Sequence, residues 1–274
     1  MATETFVPTP EVFGTEPREA TDLRRHTVTS NLLGGDRELV VFVPEGYDGD
    51  IGRRYPVLYM QDGQNLFDPT TSYVPGKDWR VDQTAHQLIR EGRIQPLIIV
   101  GVNHAGEKRV EEYTPSRDSK RNGGQASTYL RALAEVVKPF IDSEYRTHTD
   151  AWNTGLAGSS LGGLFTLYAG LERPDIFSKL GVMSPSAWWN RRYIVRAVSR
   201  MVVKPRTSIW LDIGTAEGSD TVNDVRTLRE ALVDKGWIEN DDLRYLEAED
   251  AIHDEDAWSA RAGPMLEFLF PLAM

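Results

Sequence analysis

The spacing of apolar positions changes period several times along the chain, and each change marks an element. RRHTVTS (24–30) and RELVVFVP (37–44) read as strands on either side of LLGGD, where Gly34-Gly35 is a hairpin signal. YPVLYMQDG (55–63) is an apolar run ending in a turn, and PLIIVGVNH (96–104) is a continuous run of the kind buried on both faces of a sheet. Between them, VDQTAHQLIREG (81–92) has helical spacing and stops at Gly92. STYLRALAEVVKPFIDSEY (127–145) reads as a long amphipathic helix with a kink or break at Pro139. NTGLAGS then forms a short strand and SLGGLFTLYAGLERP a helix. KLGVMSP (179–185) and TSIWLDIGT (207–215) are buried strands, and TVNDVRTLREALVDKG (221–236) is a helix ended by Gly236. LRYLEAED (243–250) is a strand, and DAWSARAGPMLEFLF closes the chain as an apolar helix. Residues 1–22, polar and proline-rich, read as a loosely docked N-terminal arm, and residues 23–274 as a single domain.

After the opening hairpin, strands alternate with helices. That order predicts an α/β fold, a mainly parallel twisted sheet with an N-terminal antiparallel hairpin and helices on both faces. In such sheets the chemistry lies beyond the carboxyl ends of the strands. The residues that matter are therefore expected just after LYM, IIVGV, NTGLA, WLDIG and RYLEA.

Composition narrows the function classes. The formal net charge is −10 in 274 residues, which argues against nucleic acid and against a polybasic membrane contact. There is no cysteine, so disulfides, thiolate metal sites and a cysteine nucleophile are excluded. No apolar run approaches the ~18 residues a membrane helix needs. The opening MATETFVPTPEVFGTEPREA lacks the basic-then-apolar pattern of a signal peptide, which predicts a cytoplasmic protein. The sequence carries no signal of oligomeric state.

One stretch points to chemistry. Gly158-Ser159-Ser160-Leu161-Gly162 fits G-x-S-x-G between a strand and a helix, with Ser160 at the centre. The pattern places a serine on a sharp turn, where the following helix offers free N–H groups to an anion. Ser159, one position early, is expected to be buried or to support the turn. A serine hydroxyl needs a base, normally a histidine oriented by a carboxylate. Of the five histidines, only His253 follows Ser160, and it lies just after the last strand, as the chain order serine, acid, histidine requires. The acid belongs just after WLDIGT. Glu217 is preferred, with Asp220 and then Asp212 in reserve; Asp254 and Asp256 read as loop charges.

These residues resemble the esterase D-like α/β-hydrolases, a family of siderophore esterases, feruloyl and acetylxylan esterases, S-formylglutathione hydrolases and mycolyltransferases. The resemblance runs from about Arg37 to the C-terminus. It rests on YPVLYMQDGQNLFD, EEYTP, GSSLGG, DIGTAEG and HDEDAW. It implies the α/β-hydrolase fold and a serine ester hydrolase with a Ser160–His253–Glu217 triad, an acyl-enzyme intermediate and no metal or organic cofactor. It also implies an oxyanion hole from the backbone N–H groups of Leu161 and Gln64. Trp79, Arg109, Tyr113, Trp188, Trp189 and Trp258 follow strand ends or flank the motifs, and they are expected around a small-molecule ester substrate. Arg109 is expected to meet a substrate carboxylate or to pair with Glu112. Acyl transfer and thioester hydrolysis use the same triad, and a binding protein on a hydrolase fold is the alternative from another class.

Overall fold

The structure is a computed structural model that describes residues 18–272. Residues 1–17, most of the expected N-terminal arm, lie outside the described residues. Residues just before the sheet are tied to the first helix: the Glu19 N–H donates to Gln83 Oε1 at 2.8 Å, and Thr21 Oγ1 donates to Asp82 Oδ2 at 2.6 Å.

Eight strands form one sheet in the order β1-β2-β4-β3-β5-β6-β7-β8. β1 (Asp22–Ser30) and β2 (Gly35–Val43) make the antiparallel hairpin, turning through Gly34 and Gly35, both at positive φ. β2 joins β4 (Ile98–Val102) antiparallel. From there β4, β3 (Val57–Gln61), β5 (Thr154–Ser159), β6 (Lys179–Met183), β7 (Ser208–Gly214) and β8 (Leu243–Ala248) run parallel. The α/β architecture expected from the sequence is the one observed. β3, β4, β5 and β6 are buried at every position, as strands covered on both faces must be.

The helices are α1 (Val81–Arg90), α2 (Arg109–Tyr113), α3 (Ala126–Ala132), α4 (Lys138–Glu144), α5 (Leu161–Glu172), α6 (Trp189–Arg200), α7 (Ser219–Lys235) and α8 (Glu255–Leu269). One face of the sheet packs Val40, Phe42, Leu58 and Met60 against α1 and α8. The opposite face packs Val41, Val43 and Tyr59 against α3, α5, α6 and α7. The alternation follows directly from the two-residue period of a strand. The expected kink at Pro139 takes a specific form. A π turn over Leu133–Val137 joins α3 to α4, and the widened turn accommodates a proline that has no N–H to donate.

Two elements were not read from the sequence. α2 is short. α6 opens on WNRRY, where Asn190, Arg191 and Arg192 all adopt left-handed backbone, so the helical period starts only beyond them. Such residues cost about 1–2 kcal/mol each and hide a helix start from pattern reading.

Lys179 begins β6 inside the apolar layer, 6% exposed, and its Nζ donates to the Leu269 carbonyl at 2.6 Å. Burial pushes its pKa down to about 8. A depressed ammonium pKa means that the folded state resists protonation. Between pH 8 and pH 10.5 the unfolded chain binds the proton and the folded chain does not, so stability rises with pH there. Unfolding of wild type and Lys179→Met at pH 7 and pH 10 should therefore show wild type gaining about 2 kcal/mol on the variant at the higher pH. An unchanged difference would refute the buried-amine account.

Candidate active site

Ser160 sits between β5 and α5 with φ 58° and ψ −121°, a conformation that L residues rarely hold. The turn survives because its neighbours lack side chains. A Cβ on Gly158 would stand 2.9 Å from the Gly162 backbone, and one on Gly163 would stand 2.8 Å from the Met183 carbonyl. The turn is pinned to the end of β6, since the Ser160 N–H donates to Met183 O (3.1 Å) and the Ser186 N–H donates to Ser160 O (2.9 Å). Ser159 is buried as the last residue of β5.

The loop after β7 brings Glu217 back under the sheet end. Its side chain is fully buried, and His253 Nδ1 donates to its Oε2 at 2.5 Å. An ionised carboxylate only accepts, so Nδ1 carries the hydrogen and Nε2 is left as the basic nitrogen. Glu217 Oε1 accepts from Ser184 Oγ (2.6 Å) and from the Gly214 N–H (2.9 Å). Burial alone would raise the Glu217 pKa, but the hydrogen bonds from His253, Ser184 and Gly214 together hold it below the ordinary glutamate value. The His253 ring stands edge-on to Trp258 at 4.9 Å, and Trp258 in turn packs on Trp79 at 5.7 Å.

The reserve acids stand elsewhere. Asp220 is exposed in the first turn of α7. Asp212 is buried within β7, accepting from Trp210 Nε1 (2.6 Å) and the Ser184 N–H (3.1 Å), with Arg261 Nε at 3.2 Å. Asp254 caps α8 through the Ala257 N–H (3.0 Å) and is clamped with Asp256 by Lys77, at 2.7 and 2.6 Å. This clamp ties the histidine loop to the segment before α1.

The turn after β3 carries Gln64. Asp62 enters it with φ 56° and is held by a bidentate ion pair from Arg109, at 2.7 and 2.8 Å, while its N–H donates to the Tyr113 hydroxyl at 3.1 Å. A Cβ on Gly63 would lie 2.5 Å from the Gly101 backbone, so the turn packs directly on β4.

The expected substrate residues divide. Trp79, Tyr113 and Trp189 are buried packing residues, with Trp189 Nε1 donating to Ser116 O at 2.9 Å. Trp258 supports His253. Trp188 is partly exposed under the Arg121 guanidinium, 4.9 Å from its ring centre. Arg109 pairs with Asp62, while Glu112 pairs with Arg37 at 2.8 Å. The structure thus corrects the expected Arg109–Glu112 pairing: Arg109 braces the turn. Ser184 and Arg261 were missed. Ser184 directly follows β6, and the strand-end rule, applied to that strand, points to it; Arg261 carries no local signal. Among the described residues no cluster of His, Asp and Glu side chains could hold a metal.

Residues 30–269 match the family model Esterase, described as "Putative esterase". The chain is 26% identical over 255 residues to the uncharacterised protein YbbA of Bacillus subtilis, a match covering 88% of this chain and 95% of that one. It is 37% identical over 159 residues to the siderophore enterobactin esterase of Emericella nidulans, covering 55% and 52%. A ferulic acid esterase from Anaeromyces mucronatus, solved with ferulic acid, superposes with a TM-score of 0.72 at 23% identity, covering 95% of each chain. At that identity the likeness is one of fold.

Proposed function

This chain belongs to the Esterase family and is a carboxylic ester hydrolase, and we propose that it works through Ser160, His253 and Glu217 by way of an acyl-enzyme. The observation that carries this reading is the pair formed by the buried Glu217 carboxylate and the solvent-accessible His253, anchored to the same strand end as the strained serine turn. Ser160 Oγ attacks the ester carbonyl carbon as His253 Nε2 takes its proton. Glu217 holds the imidazole in that tautomer and faces the imidazolium that forms. The Leu161 and Gln64 N–H groups receive the oxyanion; neither forms a hydrogen bond elsewhere among the described residues. His253 then returns its proton to the leaving alcohol, and water attacks the acyl-enzyme in the reverse sense. Among the described residues no hydrogen bond joins Ser160 Oγ to His253, whose one side-chain hydrogen-bond partner is Glu217. The two groups close up as substrate binds, which is common in free hydrolases.

The electrostatics of the cluster are consistent with the same reading. Arg261 stands between two acidic side chains, 3.2 Å from Asp212 and 3.8 Å from Glu217. The Glu217 carboxylate faces the imidazolium that His253 becomes in the transition state.

The substrate is a small-molecule ester, and an aromatic acyl or catecholate ester fits best. Partly exposed Trp188 supplies a ring face, with cationic Arg121 above it. One of the two relatives named above is a siderophore enterobactin esterase, and the superposed structure holds ferulic acid. The test is hydrolysis of methyl acetate, methyl ferulate and a catecholate trilactone. The aromatic esters should give the higher kcat/KM; a preference for the acetate over both would overturn the substrate assignment, and no hydrolysis of any ester would overturn the mechanism.

The oxyanion turn yields its own expectation. Arg109→Met leaves the Asp62 carboxylate unpaired and frees the turn that carries Gln64. kcat should fall about 10- to 100-fold with KM little changed, as for a lost charged hydrogen bond acting on the transition state. A changed KM at constant kcat would place Arg109 on the substrate instead.

A further inference from the structure

The Ser184 side chain has no part in the chemistry described above, yet it is fully buried at the centre of the cluster. Its hydroxyl touches three side chains. Trp258 Nε1 lies at 3.1 Å, Arg261 Nη2 at 2.8 Å and Glu217 Oε1 at 2.6 Å. The roles are forced. Indole and guanidinium N–H groups only donate, so they occupy the two lone pairs, and the single O–H must point at the carboxylate. The hydroxyl is saturated. Its backbone is equally constrained: φ is 38°, and the Ser184 N–H donates to both the carbonyl and the carboxylate of Asp212, at 3.0 and 3.1 Å.

The partners lie on different elements. Glu217 belongs to the loop after β7. Trp258 and Arg261 belong to α8, whose N-terminus carries the His253 loop through the Asp254 cap. We propose that Ser184 is a positioning residue: its hydroxyl couples Glu217 to α8 and so sets where the carboxylate stands relative to His253. This rests on the triad reading. The charged groups around the hydroxyl are Asp212 on β7, Glu217, His253 and Arg261, with the Lys77–Asp254–Asp256 clamp beyond them.

Two variants separate the hydroxyl from the backbone. Ser184→Ala removes the hydroxyl and keeps the unfavourable φ. Ser184→Gly removes the hydroxyl and relieves it. Both should lose kcat on p-nitrophenyl acetate by about 10- to 100-fold per folded molecule, with KM within about twofold. The hydroxyl's hydrogen bond helps hold Glu217 ionised, so in both variants the acidic limb of kcat/KM should move to higher pH. The low-field proton resonance of the His253 Nδ1–H should shift or broaden in both variants and persist in Ser160→Ala. Wild-type kcat and an unmoved limb in either Ser184 variant would overturn the proposal. Recovery in Ser184→Gly alone would assign the effect to the backbone and overturn it equally. Glu217→Gln is the reference. If it keeps the wild-type rate, the triad fails and takes the positioning role with it; if it is crippled while the Ser184 variants are unaffected, the positioning role alone fails.

Discussion

Ser160→Ala should lower kcat for ester hydrolysis by about 10⁴-fold or more, with the fold intact. The structure explains both halves of that expectation. Position 160 has φ 58° and ψ −121°, which alanine and serine tolerate equally poorly, and the turn is held by backbone hydrogen bonds to Met183 and from Ser186. The substitution therefore removes one oxygen and leaves the elbow in place. With no nucleophile, His253 has no proton to accept from the enzyme. The residual rate comes from the oxyanion donors acting on direct attack by water, typically 10³–10⁴ above the uncatalysed reaction. Thermal unfolding should differ little between the two proteins, and burst kinetics should vanish. A Ser160→Ala enzyme with wild-type kcat would mean that another group attacks.

Glu217→Gln should be nearly as damaging, by about 10³- to 10⁴-fold in kcat, although the change is isosteric. The reason is the hydrogen-bond inventory around Oε1. The Gly214 N–H is a fixed donor at 2.9 Å, and the Ser184 hydroxyl, its lone pairs taken by Trp258 and Arg261, also donates. The amide oxygen must take that position. The amide NH₂ then faces His253 Nδ1 and converts it from donor to acceptor. The hydrogen moves to Nε2, and the imidazole is in the wrong tautomer to take a proton from Ser160. The negative charge facing the imidazolium is lost as well. A comparable loss accompanies the amide substitution in the serine protease triad, which stands on an unrelated fold and whose geometry also survives. Glu217→Asp retracts the carboxylate and should fall between wild type and the amide. Equal rates for wild type and Glu217→Gln would assign the acid elsewhere, with the buried Asp212 carboxylate as the reserve candidate.

The strand framework was legible because buried parallel strands write themselves as short apolar runs. VLYMQ, IIVGV and TGLAGS are buried at every position, and nothing but a sheet interior accounts for them. The serine turn was legible because its glycines are steric necessities, and chain order singles out His253 as the proposed base. Glu217 was harder, since Asp212 lies inside the strand and Asp220 a little beyond it; the loop brings Glu217 to His253, and its course depends on backbone hydrogen bonds such as Ala216 N–H to Ala251 O at 3.1 Å. Long-range partners were not legible. Arg109 meets Asp62 across 47 positions and Arg261 meets Ser184 across 77, distances at which sequence spacing carries no information. The tryptophans show the same limit. Trp188 and Trp189 are adjacent in sequence, yet one is buried against Ser116 and the other faces Arg121.

The central claim is that Ser160 becomes covalently acylated. Its most direct test is to treat the protein with a p-nitrophenyl alkylphosphonate, which traps an activated serine as a stable adduct, and to map the modified peptide by mass spectrometry. The expected result is one phosphonyl group per chain on Ser160, in the segment NTGLAGSSLGGLF, with no labelling in Ser160→Ala and strongly slowed labelling in His253→Ala. Modification of Ser159, of another residue, or of Ser160→Ala at the wild-type rate would contradict it.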